Sequence, residues 1–546
     1  MAAELKTTKI ETPQFQALFT DELKQLADLF RKNNYELRIA GGPVRDLLMG
    51  IQPEDVDFAT TATPEEMKSL FDREQIRMLH KKGEEHGTIT CRMNDKVNFE
   101  ITTLRVDVVC DGRRAEVEFT RDWCIDAFRR DLTINSLFLA LDGTVYDYTN
   151  GIQDVRNRRV VFVGDATQRI QEDYLRILRY FRFFGRISQT NQHEQMNLDA
   201  IIKCRDGIKN ISGERIWMEL KKILIGRMAP EMMRAMLEVC GLSNLLALKD
   251  DYAKSQLDEF KRVTESVDKL RLEDEPKWPG TVLSCFFEDL TDVDNFRKRM
   301  KISNAEQALC EFLVESRDDA RLNSNNFRHF QKLYLDIINE AGVAAVEPAR
   351  SYYIELLKYI DAPETLRTFR EWSLNAAKFP ITGIDLMKAN VPGGPTMKFV
   401  LQHLRRLWFE SDFTMTSEEL LEHAKNDKVD TTTNQKTRKR RWVQISFLRN
   451  MLFFQVLISF LSALCFMDDF QIIPSYYSFN TKPIPQNQSV NNARFKSVFG
   501  NFTLNTAFSP QTLSHSTGKL SSSRRELFRW KAQTQPLQHL SGRGFA

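Results

Sequence analysis

The segment from residue 36 to residue 59 most constrains the fold, because it combines a predicted strand, a glycine turn, a helix and a second strand. Glu36-Leu37-Arg38-Ile39-Ala40 alternates polar and apolar side chains, which predicts a short strand. Gly41-Gly42-Pro43 predicts a turn that opens a helix, since glycine admits a phosphate close to the backbone and proline suits the first helical turn. Arg45 follows and is predicted to hold a phosphate oxygen. Neither a Rossmann nor a P-loop glycine pattern lies on a strand-to-helix turn, so those two classes are not predicted.

Two carboxylates follow the turn in the run 55–59. Asp55 and Asp57 are two residues apart, so both point to one face of a predicted strand. Hard oxygen ligands favour Mg²⁺, which binds a few carboxylates together with substrate phosphates. A solvated surface is the ordinary alternative for such a pair, but the glycine turn just upstream favours a metal. Glu100, in the alternating run 97–102, is predicted to add a third carboxylate from a neighbouring strand.

The run 129–135 is predicted to start a helix with a basic flank. Asp131 and Asn135 are four residues apart and so would share one face. We expect Arg130 to contact phosphate, and Asp131 with Asn135 to hold the sugar. A capped core helix is the alternative. The charged, glycine-containing run 111–114 predicts a hairpin loop near this site.

An acid and a guanidinium lie three residues apart in the run 172–184, which is predicted to be one helix. Asp173 can only accept hydrogen bonds and Arg176 can only donate them, so together they match the pairing edges of cytosine and adenine and mismatch those of guanine and uracil. An exposed ion pair between the two residues is the alternative. Arg179 and Arg182 extend a slanting basic stripe, which suits a triphosphate or an RNA backbone.

Six segments in this order resemble the class II CCA-adding enzymes, the tRNA nucleotidyltransferases: GGPVRD, DVDFAT, DGRRAEVEF, RRDLTIN, EDYLRILRYFRF and GERIWMEL. The resemblance runs from about Leu23 to about Lys425. It implies an α+β fold, with an N-terminal polymerase-β-like nucleotidyltransferase head built on a mixed sheet and all-α neck, body and tail domains after it. The implied ranges are 1–150 for the catalytic head, 151–240 for the neck that recognises the base, 241–355 for the body and 356–428 for the tail that binds tRNA.

The resemblance also implies the reaction, which is template-independent addition of C, C and A to the 3′ end of tRNA from CTP and ATP. Pyrophosphate is released, and two bound Mg²⁺ ions assist the transfer. The family's metal ligands fall on Asp55 and Asp57, and its nucleotide contacts fall on Gly42, Arg45, Arg130, Asp173, Arg176, Arg179 and Arg182. Phe128 and Pro43 depart from the residues common in the family. Two rivals stay open: a poly(A) polymerase of the same superfamily and a catalytically silent tRNA-binding protein.

The partner implied is tRNA that lacks a complete 3′ CCA; no obligate protein partner is predicted, and both a monomer and a homodimer stay open. The net charge of +3 carries no overall nucleic-acid signature, so the basic residues that grip RNA must be clustered. The run 296–301 is such a cluster, and phosphate contact is predicted there over a merely solvated face. Its cations are Arg297, Lys298, Arg299 and Lys301.

Composition and cysteine use bear on size and compartment. The 546 residues are 42% hydrophobic and 28% charged, which predicts several domains with ample core. Eight scattered cysteines without a C-x-x-C pair predict buried thiols in a reducing compartment. Residues 1–11 lack the apolar region of a signal peptide, so a cytoplasmic or nuclear form is predicted. The family resemblance also implies a mitochondrial form.

Residues 429–546 form an extension outside the resemblance. A basic run at 436–441 precedes an apolar run at 451–467, which is at the lower length limit for a membrane span. A C-terminal anchor with the enzyme in the cytosol is one interpretation. A poorly folded appendage, a nuclear-import signal and an RNA-binding patch are the others. Residues 470–546 are predicted to be disordered.

Overall fold

A mixed sheet forms the centre of the N-terminal part of the chain. The computed structural model describes residues 5–79, 84, 86–110, 115–341, 346–374, 379–391 and 395–426. Within these residues the sheet has the order β1-β10-β9-β2-β3-β6-β5-β4, and β7 pairs with β8 in a separate hairpin. The strands are β1 Lys6–Lys9, β2 Leu37–Ala40, β3 Asp57–Thr60, β4 Arg77–Leu79, β5 Thr88–Met93, β6 Val97–Thr103, β7 Arg105–Cys110, β8 Ala115–Phe119, β9 Phe138–Ala140 and β10 Thr144–Asp147.

Five α-helices accompany these strands, and the described residues after β10 form helices, their connections and one bridge at Phe162. The helices of the first part are α1 Pro13–Gln16, α2 Asp21–Lys32, α3 Gly42–Leu48, α4 Pro64–Arg73 and α5 Trp123–Arg129. The helices of the second part are α6 Gly151–Arg156, α7 Ala166–Glu172, α8 Arg176–Ile187, α9 Gln195–Cys204, α10 Gly213–Leu224, α11 Ala229–Arg234, α12 Asp250–Ser255, α13 Leu257–Leu270, α14 Pro279–Leu283, α15 Leu290–Met300, α16 Asn304–Leu322, α17 Phe327–Ala341, α18 Val346–Tyr359, α19 Pro363–Leu374, α20 Gly383–Lys388, α21 Pro395–Glu410 and α22 Ser417–Asn426. The predicted α+β class, with a mixed-sheet head before an all-helical region, is confirmed.

The central strands set the geometry of the site. β3 pairs with β6 in parallel and with β2 in antiparallel fashion. Phe58 on β3 is buried and meets Phe99 of β6 edge to face, with ring centroids 5.7 Å apart. Burial of such an aromatic pair stabilises the register, which fixes where the polar residues at the strand ends emerge.

The predicted strand–turn–helix is confirmed: β2 ends at Ala40 and α3 begins at Gly42, with Pro43 in its first turn. The strand predicted from Asp55 begins at Asp57, so Asp55 precedes it. The segment GERIWMEL lies in α10, whose apolar face is buried through residues Ile216, Leu220 and Ile223.

Two helix predictions are wrong. α5 ends at Arg129, the chain at Leu132 forms a bridge to Phe162, and a 3₁₀ turn covers residues 133–135. Bridge pairing gives this backbone partners outside a helix, and tertiary context overrides the local pattern.

The run 172–184 is likewise two helices instead of one. α7 ends at Glu172, α8 begins at Arg176, and Asp173 between them is extended, with φ −153° and ψ 105°. Its carboxylate Oδ1 accepts the backbone N–H of Leu175 at 3.1 Å. Such a local bond from an aspartate competes with the helical ladder and breaks it.

The predicted reduced thiols are partly confirmed, since six cysteines are free in the described part of the chain. Five of them are buried, and Cys124 is partly exposed. The described helices include none that is long and apolar enough for a bilayer. The loop 111–114 and the extension 429–546, including the apolar run 451–467, lie outside the described residues. The domain boundaries proposed from the sequence stay predictions.

Candidate active site

A polar cleft of about 820 Å³ lies between the edge of the head sheet and helices α8 and α10. Residues from distant parts of the sequence meet there because the end of β2, the start of β3 and the middle of β6 are neighbours in the sheet. Every metal and nucleotide residue predicted for the head and neck lines this cleft: Gly42, Arg45, Asp55, Asp57, Glu100, Arg130, Asp131, Asn135, Asp173, Arg176, Arg179 and Arg182. The fold therefore brings the whole predicted set together.

The carboxylates lie at the floor of the cleft. The parallel register places Asp57 directly opposite Glu100 on the neighbouring strand, as the sequence predicted. Partial desolvation raises the pKa of the Asp57 carboxyl, and the negative charges of Glu100 and Asp55 raise it further, while the Arg130 charge lowers it. Among the described side chains, no group of three or more His, Cys, Asp or Glu is close enough to hold a metal ion by itself. Substrate oxygens would have to complete any coordination shell here.

Gly41 makes the turn into α3. Its φ of +74° is in the region that favours glycine, and a Cβ there would lie 3.1 Å from Nη1 of Arg130 and 3.3 Å from the carbonyl of Asn135. Gly42, which the sequence singled out, has ordinary space for a Cβ, 3.6 Å from Nη2 of Arg45. Gly41 is thus the glycine that this turn needs.

Arg45 is almost completely buried in the wall of the cleft. Its Nη2 lies 2.9 Å from Oδ1 of Asp46, and its Nη1 donates to Oδ1 of Asn135 at 2.6 Å. Burial lowers the pKa of the Arg45 guanidinium, whereas the Asp46 charge raises it. Asp46 also lies 3.1 Å from Nη2 of Arg186 on α8, so one carboxylate links α3 to α8.

Arg130 is held by Asp126, which the sequence interpretation missed. The guanidinium donates to Oδ2 of Asp126 through Nε at 3.1 Å and Nη2 at 3.0 Å, and Arg129 occupies Oδ1 of the same carboxylate. These charges lower the pKa of the buried Asp126 carboxyl against the effect of its desolvation. The spacing of three and four residues between this acid and the arginines was the signal for it, since such residues neighbour each other on a helix.

Asp173 is paired with Arg215, another residue that the sequence interpretation did not assign. Nη2 of Arg215, at the start of α10, donates to Oδ2 of Asp173 at 2.7 Å. Both side chains are partly exposed and line the cleft. The exposed i,i+3 ion pair between Asp173 and Arg176 is therefore not formed.

Arg176 is anchored by a separate set of acceptors. Its Nη1 donates to Oε2 of Glu172 at 2.5 Å and to the carbonyl of Arg169 at 2.9 Å, and its Nη2 donates to the carbonyl of Arg129 at 2.8 Å. The bond to Arg129 joins α8 to the end of α5. These contacts fix where the guanidinium edge faces the cleft.

The predicted basic stripe is present on α8. Nε of Arg179 donates to Oδ2 of Asp131 at 2.6 Å, and the Asp131 charge raises the pKa of Arg179 against its desolvation. Nε of Arg182 lies 2.7 Å from Oε2 of Glu219 on α10. The sequence interpretation did not assign Glu219 either. Its position four residues after Arg215 was the available signal for a second polar face on that helix.

The basic run predicted to bind RNA lies on α15, outside the lining of the cleft. Arg297 donates to Gln307 and, at 2.7 Å, to Asn304, while Lys298 lies 2.7 Å from Asp294. Nη2 of Arg299 donates to the carbonyls of residues 208 and 211 at 3.2 and 3.0 Å. Lys301 ends the helix with a φ of +57°. RNA binding by these residues stays a prediction, and Arg299 has a structural task as well.

Two family models match the chain. The family described as "Poly A polymerase head domain" matches residues 37–161, which contain the carboxylates and the glycine turn. The family described as "Probable RNA and SrmB- binding site of polymerase A" matches residues 194–246.

Curated relatives cover most of the chain. The chain is 49% identical over 419 residues to "CCA tRNA nucleotidyltransferase 1, mitochondrial" of Danio rerio, and this match covers 76% of the chain and 93% of the relative. It is 46% identical over 423 residues to the Homo sapiens protein of the same name, and this match covers 77% of the chain and 94% of the relative.

Solved structures agree with the fold. The Bacillus stearothermophilus CCA-adding enzyme in complex with CTP superposes with a TM-score of 0.61 and 23% identity, over 79% of the chain and 99% of that structure. At this identity the likeness supports the fold alone, and the longer curated matches support the family. On these grounds the chain belongs to the CCA tRNA nucleotidyltransferase family.

Proposed function

We propose that this enzyme builds the 3′ CCA end of tRNA from CTP and ATP, without a nucleic-acid template and by two-metal nucleotidyl transfer. The observation that carries the proposal is the single cleft in which clustered carboxylates face arginines that come from α3, α5 and α8. Acids that can bind a divalent ion beside cations that can bind phosphate fit a nucleoside triphosphate held with its metal.

Asp55 and Asp57 would hold Mg²⁺ together with phosphate oxygens of the nucleotide, and Glu100, opposite Asp57 on β6, would add negative charge near them. The donor set fits, because burial raises the pKa of the Asp57 carboxyl and the charges of Glu100 and Asp55 raise it further, and a divalent cation would relieve that repulsion. When bound, such ions polarise the reacting phosphate, lower the pKa of the attacking hydroxyl and neutralise the leaving group.

The arginines of the cleft would bind the triphosphate. Arg45, Arg130, Arg179 and Arg182 each lie against a carboxylate that fixes the guanidinium on one side. A guanidinium has five N–H donors, so donors remain for phosphate oxygens. Because these side chains are already ordered, binding costs less conformational entropy and charge stabilisation is preorganised. Asp131 and Asn135 would complete this site near the sugar.

Asp173 and Arg176 would select the base. Asp173 offers an acceptor to the exocyclic amino group of cytosine or adenine, and Arg176 offers a donor to the ring nitrogen. Arg215 and Glu172 hold them from behind. The two base-selecting side chains therefore come from the junction between α7 and α8, and Arg215 of α10 holds one of them, whereas the sequence predicted that both lie along one helix.

The substrate would be tRNA with a missing or incomplete CCA end. A Thermotoga maritima CCA-adding enzyme complexed with tRNA superposes on the chain with a TM-score of 0.54. The relatives from fish, mouse and human are named mitochondrial, and we propose that compartment for this chain too. The cytoplasmic or nuclear form stays a prediction from the sequence.

Extension of a tRNA transcript that lacks its CCA end tests the proposal. With CTP and ATP together the product should end at CCA, and with CTP alone it should stop after the cytidines. The second candidate, poly(A) addition, is favoured only by the description of the matched head domain. A long adenosine homopolymer would support that candidate and would refute CCA addition.

A further inference from the structure

Three arginines of the cleft surround one aromatic ring, that of Phe183 on α8. The guanidinium carbon of Arg182 lies 4.2 Å from the ring centroid, that of Arg45 lies 5.0 Å away and that of Arg179 lies 5.4 Å away. All three distances are within the range of about 6 Å in which a cation is attracted to the face of an aromatic ring. Phe183 is only 6% exposed and forms part of the cleft wall.

The ring of Phe183 offsets part of the repulsion among the three guanidinium groups. Three like charges packed into one wall repel one another, although each lies against a carboxylate: Asp46 for Arg45, Asp131 and Glu219 for Arg179, and Glu219 for Arg182. The electron-rich faces of an aromatic ring offer these cations a second attraction that uses none of their N–H donors. The donors stay available to an anion in the cleft.

The ring also connects two parts of the chain. Arg45 comes from α3 in the head, whereas Arg179 and Arg182 come from the same helix as Phe183. Contact with the ring sets the position of the head arginine relative to the two neck arginines. A change of the ring would therefore alter the spacing of all three guanidinium groups.

We propose that Phe183 is a positioning residue for the triphosphate, because its ring holds the three guanidinium groups in register. It acts through the arginines, since a phenyl ring has no hydrogen-bonding group of its own. This inference rests on the proposed function. A change at Phe183 should therefore raise KM for CTP and for ATP by the same factor, because the two nucleotides share the triphosphate and differ only in the base.

The test is steady-state kinetics of Phe183→Leu with a tRNA that lacks part of its CCA end. Leucine keeps an apolar side chain and removes the ring. We expect KM to rise about tenfold for CTP and for ATP, with kcat within about threefold of the wild type. Inhibition by inorganic tripolyphosphate should weaken by the same factor as KM.

A ring-fluorinated phenylalanine at position 183 removes the ambiguity of a packing defect, because it keeps the shape and weakens the negative faces of the ring. It should raise KM in the same direction as Phe183→Leu, and it keeps the test valid if the leucine variant does not fold. Phe181→Leu is the matched control. That ring lies on the same helix, is fully buried and contacts Tyr180 and His193.

Three outcomes would overturn the inference: a KM no higher than that of the Phe181→Leu control, a fluorinated ring that behaves as the natural one, or unequal effects on CTP and ATP. Failure of the proposed function would look different. In that case the wild-type enzyme itself would not add CCA to tRNA in the same assay.

Discussion

Replacement of Asp173 by asparagine tests base selection with little change in shape. In the wild type Oδ2 accepts from Arg215 at 2.7 Å and Oδ1 accepts from the N–H of Leu175 at 3.1 Å. In Asp173→Asn one of these acceptors becomes an NH₂ donor. Whichever way the amide turns, the cleft loses an acceptor-only group and gains a donor, which matches the carbonyl of uracil or guanine.

The magnitude follows from the cost of mismatched base contacts, about 1–3 kcal/mol each. Since about 1.4 kcal/mol corresponds to a factor of ten, the preference for CTP over UTP should fall about tenfold to a hundredfold. The assay compares kcat/KM for each nucleotide in single additions to tRNA that lacks its CCA end. Binding of the triphosphate itself should change much less, because its arginines are untouched.

Asp206→Asn is the matched control, since Asp206 is another exposed acid of the helical region, is paired with Lys209 at 2.7 Å and lies outside the cleft lining. The control should keep the wild-type preference. A CTP-to-UTP preference in Asp173→Asn that equals the wild-type value would refute the assignment of Asp173 as the acceptor for the base.

Three further predictions concern metal, turn and stability. Asp57→Asn should abolish nucleotide incorporation and spare tRNA binding in a filter assay. The raised pKa means that ionised Asp57 costs folding free energy at neutral pH, so the variant should have a higher Tm than the wild type there. The difference in Tm should vanish as pH falls, because the wild-type carboxyl then takes up its proton. Gly41→Ala should lose about 1–3 kcal/mol in urea unfolding, because alanine is strained at φ +74° and its Cβ meets Arg130. Arg299→Ala should lose about 1–3 kcal/mol of stability, because it removes the guanidinium donor from the carbonyls of residues 208 and 211, and it should leave the salt dependence of tRNA binding unchanged. Weaker tRNA binding at full stability would instead make this arginine an RNA contact.

Local sequence patterns predicted the elements that carry the site. The turn after β2 and the helix α3 follow from glycine and proline chemistry, which is decided within a few residues. The placement of Asp57 on a strand face follows from the period of two. The residues of the cleft could be named from the sequence because their chemical types are unusual at that spacing and because the motif order resembles a known family.

Two local predictions were wrong where tertiary bonds compete with helical ones. Leu132 and Thr133 pair with the segment at 161–162, and this removes residues 131–135 from a helix. Asp173 caps the backbone of Leu175 and lies against Arg215, and this separates α7 from α8. At residues 131–135 a long-range partner decides the backbone, and no window of local sequence contains that partner. At Asp173 a local bond breaks the helix, and the distant Arg215 pairs with the same carboxylate.

The sequence by itself determined the chemical inventory: acids at a strand face, arginines on a helix, and glycines where the backbone turns left-handed. Only the tertiary structure decided the long-range pairs, namely Asp173 with Arg215, Arg179 with Asp131 and Arg182 with Glu219. The physical reason is that donor and acceptor types are properties of residues, whereas charge pairing depends on distances of a few ångströms that the packing of α10 and α5 against the cleft sets.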